Sequence, residues 1–375
     1  MTNLYLDYNA STPVDPRIVQ AMLPLLANAF GNPSSKHWAG VESKVALECA
    51  RSQVAALIGA EPDEIVFTSG GSEANNLALK GMFFMPGVEG DHIITQVTEH
   101  PAILQPLAFL EQRGATVTHL RVDSHGRVDP EAVRQAITPR TRLITIMHAN
   151  NETGTIQPVA EIGEIARAHG VRFHTDAAQS IGKIPVDVDD LGVDLLSIAG
   201  HKFHAPKGVG ALYVRRGVEL EPLIHGAGHE DGRRAGTESA LMATSLGEAS
   251  ALVHDLTPMA RVRALRDRLW HALKDRFGDR VVLNGHLEYL LPNTLNVSFV
   301  GRIGADVLKR LDGVAASTGS ACHSGRVELS PVLAAMGVSE HVGMGAIRFS
   351  LGRETTPEEI EVVIGKLDHI GALDT

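Results

Sequence analysis

The chain has 375 residues, 44% of them hydrophobic and 21% charged, with a formal net charge of −10. These proportions match soluble globular domains and exclude an intrinsically disordered chain or a disulfide-stapled miniprotein. The acidic excess is spread without blocks of like charge, so nucleic acid and anionic membrane, which bind clustered basic faces, are not expected partners.

The first residues, MTNLYLDYNASTP, carry neither a basic leader nor an apolar signal core, and no run approaches the ~18 apolar residues of a membrane span. Cys49 and Cys322 are the two cysteines, so a reducing, cytoplasmic setting is expected. No HExxH or CxxC spacing occurs, and His225 and His229 fall in a glycine-rich stretch, so no metal is expected.

Helices are predicted over 16–30 and 37–58, separated by the breaker FGNPSS, with Cys49 packed inside the second. From about residue 60 to 216 the runs IVFTSG, HIITQV, TVTHLRV, LITIMHAN, VRFHTDAA, LLSIAG and GALYVRR alternate with helical patterns. The alternation predicts an α/β fold with a mostly parallel, seven-stranded sheet covered on both faces. Ligands of such sheets sit at the carboxyl ends of the strands. An amphipathic pattern from Glu238 to Phe277, interrupted near Pro258, leads to VVLNG, NTLNVSFV, VAASTG and IRFSLG, which predict a smaller α+β unit. The expected division is a large domain over 15–255 and a small one over 256–375 with 1–14.

Several residues follow strand runs and carry chemistry. Lys202, in SIAGHKFHAPKG, is either a solvated loop lysine or a desolvated amine able to form a Schiff base. Asp176, in HTDAAQS, either caps a helix or pairs with the protonated ring nitrogen of a pyridoxal phosphate. In FTSGGSEANN, Gly71 and Ser72 open a helix whose backbone N–H groups can hold phosphate. His100 is a helix cap or a ring-stacking proton carrier, and Asn151 is a turn residue or an amide donor. Arg348 alternates with Ile347 and Phe349, and either forks a carboxylate or is solvated. Cys322, in STGSACHSG, is an accessible thiol beside His323 or an inert buried one.

Taken together in order, TSGGSEANN, TEH, HANNETG, HTDAAQS, GHK, AGTES, SGSACHS and IRFSLGR resemble the cysteine desulfurases and selenocysteine lyases of the class V branch of fold type I pyridoxal phosphate enzymes. The resemblance runs from Leu6 to the last helix. It implies pyridoxal 5'-phosphate joined to Lys202, Asp176 on the pyridine nitrogen, His100 over the ring and Gln179 on the ring hydroxyl. Ser72 and His201 match phosphate ligands, beside Gly71, and Thr237 matches a hydroxyl lent by the neighbouring subunit of a homodimer. Asn151, also on the cofactor, and Arg348 match the substrate carboxylate site, and Cys322 the cysteine that takes sulfur from L-cysteine as a persulfide, leaving alanine. A sulfur acceptor, protein or small thiol, is implied. The alternatives carried with it are a selenocysteine lyase acting on L-selenocysteine, a class V aminotransferase or β-lyase, and an idle relative that only binds.

Three departures stand out. Ala199 replaces a serine that bonds the phosphate in many relatives, and losing such a bond costs about 1.5 to 3 kcal/mol if nothing substitutes. The ACHS spelling, with His323, is closer to animal selenocysteine lyases. The chain ends at Thr375, soon after the last helix and without the tail by which housekeeping members meet an iron–sulfur scaffold, so the resemblance does not extend to delivery there.

Overall fold

The computed structural model describes residues 3–87, 89–318, 321–323 and 326–367, without the side chains of 321–327. All seven predicted runs form one sheet: β1 (Ile65–Thr68), β2 (His92–Gln96), β3 (Thr116–Leu120), β4 (Thr141–Thr145), β5 (Arg172–Asp176), β6 (Leu195–Ala199) and β7 (Gly210–Val214). Their spatial order is β1-β7-β6-β5-β4-β2-β3. Neighbours are parallel except β7, which runs antiparallel to both β1 and β6. Strands β1, β2, β6 and β7 are buried along their whole length, which is why their sequences show no alternation of apolar and polar residues. Hydrophobic clusters fill both faces, one around Ile144, Phe173 and Tyr213, the other around Leu77, Leu107 and Leu212.

The second half builds an antiparallel sheet from Val281–Leu283, Thr294–Phe299, Ala346–Ser350 and Ser317–Thr318 over its own cluster of Leu269, Val297 and Phe349. The amphipathic pattern resolves into helices Ala240–Val253 and Pro258–Phe277, with Pro258 at the start of the second, where its missing N–H costs nothing. The N-terminus joins this half: Leu4–Tyr5 pairs in parallel with Val314–Ala315, and Leu4 and Leu6 lie in the second cluster. We propose the division 15–255 and 256–375 with 1–14 on these separate cores.

The first helix spans Pro16–Asn28, capped by Asp15, and the second Trp38–Leu57. Cys49 is exposed, against expectation. The second helix buries Ser43, Leu47, Ala50 and Val54, and Cys49 falls on the opposite face with Val41 and Val45.

Candidate active site

At the carboxyl ends of the parallel strands, a cavity of about 590 Å³ is lined by Gly71, Ser72, His100, Asn151, Asp176, Gln179, His201, Lys202 and Arg348, all of them sequence candidates. All but Arg348, which comes from the middle of Ala346–Ser350 in the antiparallel sheet, arrive by the same rule. The chain leaves β1 into Ser69–Ser72, β2 into His100, β4 toward Asn151, β5 at Asp176 and β6 into Gly200–Lys202. Because β7 is antiparallel, its beginning lies at the same edge, and Lys207 and Gly208 join the lining.

Lys202 Nζ donates to the carbonyls of Asn9 at 2.8 Å and Ala10 at 3.0 Å. Burial, with help from the Arg348 charge and against Asp176 and Asp7, brings its amine down to about 8. Asp176 is buried; its Oδ2 accepts from Asn75 Nδ2 at 2.7 Å and its Oδ1 from the N–H of Ala178 at 2.9 Å. It thus closes a turn and lines the cavity at once. Gln179 is held between Asn9, whose carbonyl accepts from Nε2 at 3.0 Å, and Lys183, whose Nζ donates to Oε1 at 2.8 Å. His100 does cap the helix Pro101–Glu111: its Nδ1 accepts from the N–H of Ala102 at 3.0 Å, which leaves the proton of the neutral ring on Nε2. Burial lowers its basicity, opposed by Asp176 and aided by Lys202.

The helix Gly71–Phe84 starts after Gly70, whose φ of 143° favours glycine, and no side chain caps it among the described residues. Its first-turn N–H groups are therefore open to an anion. Beside them, His201 is lowered to about 4 by burial and by Lys202 and Lys207, so its neutral ring can still donate one hydrogen bond. Ala199 packs against Gly71, where a Cβ on the glycine would come within 3.0 Å of the alanine Cβ. Arg348 is buried; NH2 donates to Asp7 Oδ1 at 2.7 Å and NH1 to the Asn151 carbonyl at 2.8 Å.

Thr237 stands apart, exposed in the segment before Ala240–Val253 and outside the cavity lining. Cys322 has its backbone in the strand Ala321–His323, paired antiparallel with Arg326–Glu328; its side chain and that of His323 lie outside the described residues.

The residues present fit pyridoxal phosphate chemically. They offer an amine short of full protonation, a buried carboxylate, a neutral imidazole and an uncapped helix start with Lys207 nearby for phosphate. Asn9, Asn75, Asp7 and Lys207 were not singled out from sequence. Asn9 had a visible signal in the polar run LDYNAST, and Asn75 in EANN, but neither pattern says what it meets.

Comparison with known proteins agrees with this chemistry. The family described as Aminotransferase class-V matches residues 4–363. A cysteine desulfurase IscS from Dictyoglomus turgidum is 47% identical over 371 residues, covering 98% of this chain and 94% of that one. The chain belongs to the cysteine desulfurase family. Another family member, the cysteine desulfurase IscS of Salmonella arizonae, is 47% identical over 96% of this chain and 91% of its own. Among solved structures, a NifS-like protein superposes with a TM-score of 0.92 at 37% identity, covering 99% of this chain and 100% of the other. The structure described as SspA in complex with cysteine matches at 0.84 and 39%, covering 94% and 100%. The desulfurase fold and the seven-stranded sheet expected from sequence are thus both found.

Proposed function

We propose that the chain takes sulfur from L-cysteine onto Cys322 as a persulfide and releases L-alanine, with Lys202, Asp176, His100 and Arg348 around the substrate. The chain is a pyridoxal 5'-phosphate-dependent cysteine desulfurase. The observation that carries the residue assignment is the convergence of Lys202, Asp176 and Arg348 on one cavity, from segments far apart in sequence.

In this reading Lys202 holds the cofactor, Asp176 faces its ring nitrogen, Gln179 its ring hydroxyl, and Gly71, Ser72 and His201 its phosphate. When bound, the cofactor supplies an electron sink for the carbon that loses a proton. Lys202 takes and returns that proton at Nζ, which its lowered basicity allows near neutral pH. His100, protonated at Nε2 and capped at Nδ1, holds a proton at the mouth of the cavity. Asn151 and Arg348 orient the substrate, Arg348 by a fork to its carboxylate. The Cys322 thiolate attacks the substrate sulfur: a new S–S bond forms as the carbon–sulfur bond breaks, and its electron pair returns to the carbon that becomes the alanine methyl. A second thiol, on a protein or a small molecule, then receives the sulfur.

Alanine formation from L-cysteine and L-selenocysteine, by wild type and Cys322→Ala, tests the reading. Loss of roughly tenfold or more on cysteine, with selenocysteine turnover kept, supports it. Full cysteine activity in the variant overturns the persulfide role, selenocysteine preference in both favours the lyase suggested by ACHS, and pyruvate with ammonia indicates a β-lyase.

A homodimer is proposed on a face that the single chain leaves bare. Leu26 is 70% exposed, Phe30 and Trp38 80%, and Val41 and Val45 continue the stripe along the second helix. The Phe30 and Trp38 rings meet edge to face, with centroids 6.3 Å apart. Contiguous apolar surface of this kind marks an interface, and a second copy seated on it would cover Cys49 too; the role proposed for Thr237 at its neighbour's phosphate rests on the family resemblance. Phe30→Glu with Trp38→Glu is expected to sediment as a monomer and retain less cofactor after gel filtration. A dimer that persists in the variant removes this face from the proposal. No helix of the described residues is long and apolar enough to cross a membrane. A cytoplasmic location is proposed on the low cysteine content.

A further inference from the structure

We infer that Asp7 is the positioning residue that presents Arg348 to the substrate carboxylate. The inference rests on the reading of Arg348 as the carboxylate site.

Arg348 occupies the middle of Ala346–Ser350, a strand buried at every position. A guanidinium there needs both a counter-ion and directed acceptors. Asp7 supplies the charge at 2.7 Å, and the Asn151 carbonyl takes the other terminal nitrogen at 2.8 Å. Each terminal nitrogen therefore spends one N–H on the protein and keeps one, while Nε is buried with no partner among the described residues. What remains is an unspent set of donors suited to a bidentate anion.

Asp7 is itself fixed from two directions. The same Oδ1 accepts from Ser317 Oγ at 2.9 Å, and Ser317 lies opposite Arg348 in the antiparallel register. The Asp7 backbone forms a parallel bridge to Ser350, two residues beyond the arginine. Three chain segments thus lock one carboxylate oxygen, and through it the plane of the guanidinium. A long arginine side chain is held in its working position before any substrate arrives, and this preorganisation is what favours binding of a planar anion.

The test uses the cofactor-loaded enzyme and a ligand pair that differs by the carboxylate alone: L-alanine and ethylamine, their affinities read from the change in cofactor absorbance. Asp7→Ala is expected to weaken L-alanine about tenfold or more and leave ethylamine within about twofold. Asp7→Asn, whose amide oxygen can accept from both Arg348 and Ser317, is expected to restore most of the loss. Equal weakening of both ligands, no weakening, or an Asn variant as impaired as the Ala variant overturns the inference. Arg348→Ala separates it from its premise. If that variant keeps the preference for L-alanine, the carboxylate role of Arg348 fails; if it loses the preference while Asp7→Ala keeps it, only the role of Asp7 fails.

Discussion

Lys202→Ala protein is expected to form alanine from L-cysteine roughly 10³- to 10⁴-fold more slowly than wild type, since the substitution removes a proton carrier and the covalent anchor together. Two other lysines lie close enough to compete for the assignment. Lys183 is buried, its Nζ committed to Gln179 Oε1 and to Asn9 Oδ1 at 3.2 Å. Lys207 lines the cavity from the segment before β7, as does the start of the helix that offers open N–H groups. Borohydride reduction followed by peptide mapping is expected to place the label on Lys202, and a label on Lys183 or Lys207 would sink the assignment. The lowered basicity adds a pH signature. A neutral amine is the reactive form, and burial together with Arg348 brings its midpoint to about 8. Uptake of pyridoxal phosphate by the cofactor-free protein should therefore be slow at pH 6.5, rise through about pH 8 and level off above it. A free lysine would still be climbing at pH 10.

The sheet was legible because most of its strands are short and buried, and because an α-helix separates each consecutive pair among the first five. Residues such as Asp176 and Lys202 were legible for a related reason: they follow strand runs, and parallel topology sends every such position to one edge. What stayed hidden depends on contacts between distant segments. Asn9 donates to Thr294 Oγ1 at 2.8 Å and receives Asn293, Lys183, Gln179 and Lys202, yet it sits in a stretch with no periodic pattern. The strand Leu4–Tyr5 is two residues long and pairs with Val314–Ala315, which no local signal announces. Cys49 failed for a simpler reason. A weakly amphipathic helix with small residues on its packed side, Gly40, Ser43 and Ala50, does not reveal which face turns inward.

Asp176→Asn is expected to lower turnover about 10²- to 10³-fold, the usual effect of removing one preorganised electrostatic partner, with the fold intact. The site tolerates the amide. Asn75 now donates Nδ2 to the carboxylate and leaves its own Oδ1 without a partner, so a flip of the Asn75 amide offers that oxygen to the new NH₂ group. Ala178 keeps an acceptor in the remaining oxygen. What disappears is the negative charge, which in the proposed role keeps the ring nitrogen of the cofactor protonated. The loss should be visible without turnover, because that charge also acts on two neighbours. It raises His100 against the effect of burial, and it adds to the burial that lifts Glu99 to about 8. Both groups should therefore titrate at lower pH in the variant. The shift of His100 is measurable by NMR of the ring protons in the cofactor-free protein. Asp176→Asn protein that turns over within tenfold of wild type, with His100 shifted as expected, would confirm the effect of the charge on its neighbour and remove Asp176 from catalysis.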